Sequence, residues 1–85
     1  MKDPPPVRII RGEPIMTGTI HISVNGEPRD IGTGWSVAGL LENLGLDRRK
    51  VAVERNLEIV PKSQFDATLL GAGDRLEIVH FIGGG

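Results

Sequence analysis

Three glycines, Gly83, Gly84 and Gly85, close the sequence directly after the strand-like run Ile78-Val79-His80-Phe81-Ile82. Glycine gives up more backbone freedom on ordering than any other residue, so such a tail adds nothing to the stability of a fold. It offers instead a thin arm, extendable to about 10 Å over three residues, that ends in a carboxylate with no side chains around it. An end of that kind can be threaded into the active site of another protein. The expectation is that the reactive group of this chain is its own C-terminus, Gly85, with Gly83 and Gly84 as the threading segment. A truncated linker or an incidental scar is the bland alternative.

The other chemistry-bearing residues make weaker cases. His80 and His21 stand in strand patterns without a partner motif, and a histidine acts as a base only within reach of the proton it takes. Two histidines and no cysteine also make a poor metal site. Glu42, Glu54 and Glu77 read as solvent-facing rather than as paired acids. Gly71-Ala72-Gly73 lacks the Gly-Lys-Ser/Thr ending of a phosphate loop and precedes a strand, not a helix. With no convergent nucleophile, base and oxyanion donors, the chain is not expected to be an enzyme by itself and is expected to bind no cofactor of its own. Arg48-Arg49-Lys50, with Arg55 and Lys62, forms a basic cluster that reads either as a solvated turn or as a dock for an acidic patch.

Composition bounds the rest. Eighty-five residues make one domain with a small core. Ten basic against eleven acidic residues leave a net charge of -1, which argues against nucleic acid as a partner. The absence of cysteine excludes disulfides and a thiol nucleophile, so any sulfur chemistry must use something other than a thiol side chain. No apolar stretch approaches the roughly 20 residues of a membrane helix, and the start lacks the apolar core of a signal peptide. A soluble cytoplasmic protein is expected.

The elements that must position the tail follow from pattern. Residues 1–15, with Pro4-Pro5-Pro6 and Pro14, are expected to be a flexible N-terminal extension. Within it, Val7, Ile9 and Ile10 offer at most a short edge strand. The native start is either Met1 or Met16, and residues 16–85 form the domain. Ile20, Ile22 and Val24 alternate with Thr19, His21 and Ser23 as in a half-buried strand. Asn25-Gly26 then signals a hairpin returning over about 27–31, with Pro28 marking an edge. Ser36 is the expected helix N-cap, with Trp35 and Leu40 as a hydrophobic staple. Val37, Leu40, Leu41 and Leu44 form one apolar face, and Gly45 with Leu46 forms a C-terminal cap. Gly39 inside the helix marks a possible close approach. Val51-Ala52-Val53-Glu54, a turn at Asn56-Leu57, and Glu58-Ile59-Val60 make two further strands. A helical turn is expected near Phe65 to Leu69 and a last strand over Arg75 to Ile82. In that strand Leu76 and Ile78 face the helix, and Val79 and Phe81 lie on the opposite face. Those two either cover the sheet or dock a partner. If the last strand pairs beside the first, the fold is α+β, a mixed sheet packed on one main helix, the ubiquitin-like β-grasp. A plain α+β meander satisfies the same local pattern.

In sequence the chain resembles the ThiS-type sulfur carriers of thiamin thiazole biosynthesis. The resemblance rests on Val24-Asn25-Gly26, Leu40-Leu41, Val51-Ala52-Val53-Glu54 with Asn56, and Ile59-Val60-Pro61. It continues through Leu70, Gly73-Asp74, Glu77-Ile78-Val79 and the ending Phe81-Ile82-Gly83-Gly84-Gly85. It implies that a ubiquitin-activating-type adenylyltransferase uses MgATP to adenylate the Gly85 carboxylate. Sulfur supplied through a cysteine desulfurase then gives a thiocarboxylate, which thiazole synthase consumes. The small subunit of molybdopterin synthase, a ubiquitin-like interaction module without tail chemistry, and a protein modifier joined through Gly85 are the alternatives.

Threading makes a demand that can be checked at one residue. Gly84→Val places a β-branched side chain on the arm and is expected to block thiolation while leaving the fold intact. Thiolation of this variant at the wild-type rate, read by mass spectrometry, would defeat the threading expectation.

Overall fold

Alternation of β-branched residues on one face and polar residues on the other builds the first hairpin. In the computed structural model, residues 18–81 are described. The expectations for the N-terminal extension, for Met16 and for Ile82 through Gly85 fall outside them. β1 (Thr19–Val24) and β2 (Glu27–Gly32) pair antiparallel from Val24↔Glu27 to Thr19↔Gly32. Asn25 and Gly26 join them with φ of 52° and 85°, the pair of positive angles that matches the strand twist. Ile22 and Ile31 are buried.

The chain then enters α1 (Val37–Asn43), whose apolar face buries Val37, Leu40 and Leu41. A helix start leaves several N–H groups without intrahelical partners, and here each of the first three finds one. Val37 N–H donates to Thr68 O (2.9 Å) and Ala38 N–H to Phe65 O (2.9 Å). Gly39 N–H donates to Ser36 Oγ (3.0 Å). At the other end Leu46 N–H reaches Leu41 O and Gly45 N–H reaches Glu42 O, with Gly45 at φ 74°. That is the Schellman arrangement. Gly39 turns out to make no close approach, since a Cβ there would meet only Ser36 Oγ at 3.6 Å. The tight places are Gly32, where a Cβ would lie 2.8 Å from Trp35 Nε1, and Gly18, where it would lie 2.8 Å from Thr33 Oγ1.

A 3₁₀ turn (Arg48–Lys50), capped by the Asp47 carboxylate, leads into β3 (Val51–Arg55). Asn56 and Leu57, at φ 54° and 74°, turn it into β4 (Glu58–Val60). A helical turn forms where one was expected near Phe65 to Leu69, closed by Thr68 N–H on Gln64 O (3.0 Å), and it is preceded by a 3₁₀ turn over Lys62–Gln64. Pro61, held at φ -62°, starts it. The segment that follows buries Phe65 and lends its carbonyls to α1. β5 (Arg75–His80) closes the sheet.

The five strands lie in the order β2-β1-β5-β3-β4. β5 runs parallel to β1 and antiparallel to β3. The mixed sheet carries α1 on one face, over a core of Ile22, Ile31, Val37, Leu40, Leu41, Val51, Val53, Val60, Phe65, Leu70 and Leu76. This is the β-grasp arrangement.

Asp74, at 8% exposure, is the only buried polar or charged side chain among the described residues. Burial by itself would raise its pKa. Hydrogen bonds from Gly71 N–H (2.8 Å), Asn56 Nδ2 (3.0 Å) and Arg55 Nη1 (3.2 Å) outweigh that and hold the carboxyl below its ordinary value. A depressed folded-state pKa stabilises the fold above the unfolded value of about 3.9, and the contribution disappears as pH falls through the folded value. Asp74→Asn is therefore expected to cost about 1–3 kcal/mol at neutral pH. The gap to wild type should close in acid. Urea denaturation across that range checks it; a gap that does not depend on pH would assign the loss to shape rather than charge.

Candidate functional site

Where β5 hands the chain toward the tail, its side chains divide as the alternation requires. Leu76 is buried and Ile78 packs against the core, while Val79 is 58% and Phe81 45% exposed. Phe81 N–H donates to Lys50 O (2.8 Å), so the ladder with β3 continues to the last described residue. The expected tail sites Gly83, Gly84 and Gly85 lie outside the described residues.

The outer face carries more apolar surface than Val79 and Phe81. Val79 pairs with Ala52, and Ile59, 65% exposed, pairs with Glu54. Leu57, at 84%, borders a shallow hollow with Asn56, Arg75 and Glu77. A leucine in the left-handed region costs about 1–3 kcal/mol, and so exposed a side chain recovers none of it through packing. Sequence reasoning missed both Leu57 and Ile59. The signals were present in the inward Val60 next to Ile59 and in a leucine at a turn position where glycine is the usual choice.

The basic cluster does not survive as one patch. Arg48 makes two hydrogen bonds to Asp66 (2.8 and 3.2 Å) and Arg49 two to Asp47 (2.9 and 3.1 Å), while Arg55 is spent on Asp74. The guanidinium of Arg49 holds the Asp47 carboxyl well below its ordinary range, and that of Arg48 lowers Asp66. Lys62 is different. Its Nζ donates to Val51 O and sits 5.4 Å from the centre of the Phe81 ring and 6.0 Å from that of Phe65. The ammonium thus joins the residue at the root of the tail to a buried core aromatic.

His21 pairs with Asp30 across the first hairpin, on exposed surface. His80 borders a hollow with Val24, Leu44, Leu46 and Ile78. Among the described residues, neither histidine is brought together with a nucleophile. Among the described residues no helix is long and apolar enough to cross a membrane.

The ThiS family model matches residues 22–85. A thiazole synthase of Paramagnetospirillum magneticum is 58% identical over 66 residues, covering 78% of this chain and 20% of that protein. The chain spans about a fifth of the length of the curated thiazole synthases it matches. The sulfur carrier protein ThiS of Bacillus subtilis is 42% identical over 57 residues, covering 67% of this chain and 82% of that protein. The crystal structure of the thiamine biosynthesis protein (ThiS) from Geobacter metallireducens superposes with a TM-score of 0.67 at 35% identity, covering 78% of this chain and all of that one.

Lys62→Met keeps most of the length of the side chain and removes the charge. It is expected to release the Phe81 ring, moving its proton shifts toward unstructured values, and to cost about 0.5–1 kcal/mol. Unchanged Phe81 shifts would show that the ammonium does not hold the ring.

Proposed function

We propose that this chain, which belongs to the ThiS family, is a sulfur carrier whose C-terminal carboxylate is converted to a thiocarboxylate for thiazole formation. The observation that carries the reading is that the family match runs on through Gly85. The similarity to proteins named thiazole synthase supports the choice of the thiazole pathway.

A carboxylate is a poor acyl donor because it has no good leaving group. In the proposed sequence an oxygen of Gly85 attacks the α-phosphorus of ATP on a ubiquitin-activating-type adenylyltransferase. Pyrophosphate leaves and an acyl-adenylate remains. The terminal sulfur of a persulfide, charged through a cysteine desulfurase, attacks the acyl carbon and AMP departs. A second thiol of the partner system opens the resulting sulfur–sulfur bond, freeing the thiocarboxylate. Its sulfur is a better nucleophile than carboxylate oxygen, and thiazole synthase builds it into the ring. ATP, magnesium and the catalytic side chains belong to the partners, so the chain is a protein cosubstrate rather than an enzyme. Its place of work is the cytoplasm, where ATP and the partners are found.

Docking falls to the outer face. Val79 and Phe81 stand beside the tail root, and Ile59 and Leu57 extend the apolar surface away from it. An exposed strip of this kind suits a protein partner.

Intact-mass spectrometry tests the proposal on the chain incubated with MgATP, the adenylating partner, a cysteine desulfurase and cysteine. The expected gain is one oxygen replaced by one sulfur, localised to Gly85. An unchanged mass, with the same partners active on another carrier, would leave a non-covalent interaction module. In the same assay Phe81→Asp is expected to slow activation by about tenfold or more with an unaltered circular dichroism spectrum. Normal kinetics for that variant would remove Phe81 from the docking surface.

A further inference from the structure

The ladder between β5 and β3 is bounded by Asn56 N–H on Arg75 O and by Phe81 N–H on Lys50 O, each 2.8 Å. In an antiparallel ladder, alternate residues turn their backbone groups toward the same neighbour. Arg75, Glu77, Val79 and Phe81 therefore address β3, and Leu76, Ile78 and His80 address the β1 side. On that side β1 supplies only two residue pairs, Ser23↔Arg75 and Val24↔Leu76. The bonds at the two limits of this pairing are Ser23 N–H to Asp74 O (3.0 Å) and Asn25 N–H to Leu76 O (2.8 Å), and then β1 ends in its turn.

The next position on the ladder is filled by a side chain. Asn25 Oδ1 accepts from Ile78 N–H at 2.8 Å, and Asn25 Nδ2 donates to Ile78 O at 3.2 Å. A primary amide presents the same donor and acceptor as a peptide group. Asn25 thus extends the parallel pairing by one residue beyond the end of β1. Turn chemistry does not require this, because glycine satisfies a positive φ equally well.

We propose that Asn25 is a positioning residue for the tail chemistry: by pinning Ile78 it fixes the direction in which β5 delivers the chain beyond Phe81. This rests on the sulfur-carrier reading. Glycine as a residue type favours no single backbone direction, so in this proposal the heading of such an arm is set at its root. Phe81 is fixed there from the β3 side by Lys50 O and Ile78 from the β1 side by Asn25. Once the outer face has docked, a fixed root sends the carboxylate toward its channel. A swinging root spends part of each encounter misaligned, and misalignment lowers the rate of the step rather than the strength of docking.

Asn25→Gly separates the two roles, keeping the turn and deleting both bonds to Ile78. The readouts are pyrophosphate exchange with the adenylating partner at varied carrier concentration, and amide hydrogen exchange of the free carrier. The variant is expected to keep KM within about twofold while kcat falls about fivefold or more. The Ile78 amide should exchange about tenfold faster or more, with the Ser23 amide unchanged. Asn25→Asp keeps an acceptor for Ile78 N–H and is expected to recover that protection and part of kcat. A merely structural role would lower the melting temperature without changing kcat where all variants are folded. Wild-type kcat in Asn25→Gly, or unchanged Ile78 protection, would overturn the proposal. If the wild-type chain is not adenylated at all, the sulfur-carrier reading fails and the tail-chemistry role falls with it; Ile78 exchange then shows whether the clamp itself exists.

Discussion

The carboxylate of Asp74 receives Gly71 N–H, the Asn56 amide and the Arg55 guanidinium, while its backbone oxygen takes Ser23 N–H. One residue thereby joins the loop before β5, the β3–β4 turn and β1. The joint matters because of the topology. β5 comes last in the chain yet lies in the middle of the sheet, between two hairpins that have already paired internally. Among the described residues its parallel neighbour contributes two residue pairs, and the apolar alternation, which forbids a slip of one residue, does not forbid a slip of two, since that keeps the same face inward. A buried carboxylate does choose, because it is costly to bury unless every donor is in place. In a domain whose total stability is of the order of 5–15 kcal/mol, a contribution of about 1–3 kcal/mol from one such group decides much of the margin.

The same logic governs the two turn asparagines. Each sits at positive φ at the start of a hairpin turn, and each spends its amide on β5. Asn56 accepts from Arg75 N–H (2.9 Å) and donates to Asp74 at the beginning of the strand. Asn25 brackets Ile78 near its end. The hairpins therefore receive the last strand through their turns as well as through their edges, and the strand is fixed at both limits by groups distant in sequence.

That division explains what was legible in the residues beforehand. β1, β2, the helix with its Ser36 cap and its Gly45-Leu46 exit, and both turns are local in origin and could be read. The pairing of β5 with β1 was an inference that nothing local specified, and it formed. The helix start shows the limit more sharply. Ser36 explains one N–H, while Val37 and Ala38 depend on carbonyls of Thr68 and Phe65, which no pattern near the helix announces. The turn near Phe65 could be read, whereas the 3₁₀ turn that Pro61 starts could not, because Lys62, Ser63 and Gln64 show no apolar spacing. Asn25 and Asn56 were hidden in another way. A turn fully accounts for their type, so their second task left no surplus signal. At the site, Val79 and Phe81 were readable from strand alternation. The link from Lys62 to Phe81 was not, since a lysine after a proline carries no cue to the ring it will meet.

A chain that supplies only its end to a reaction faces opposing demands. The last residues must be slender and free enough to enter a channel, and glycine meets that need by abandoning any preferred direction. The orientation lost in the arm must then be restored at its base, because reacting atoms brought together without alignment gain little from proximity. Here the base is held by main-chain pairing to Lys50, by the amide of Asn25 and by the Lys62 ammonium against Phe81. None of these groups lies in the apolar core. The core supplies most of what keeps the domain folded, and this small polar collar, which adds little to stability, sets where its last strand points.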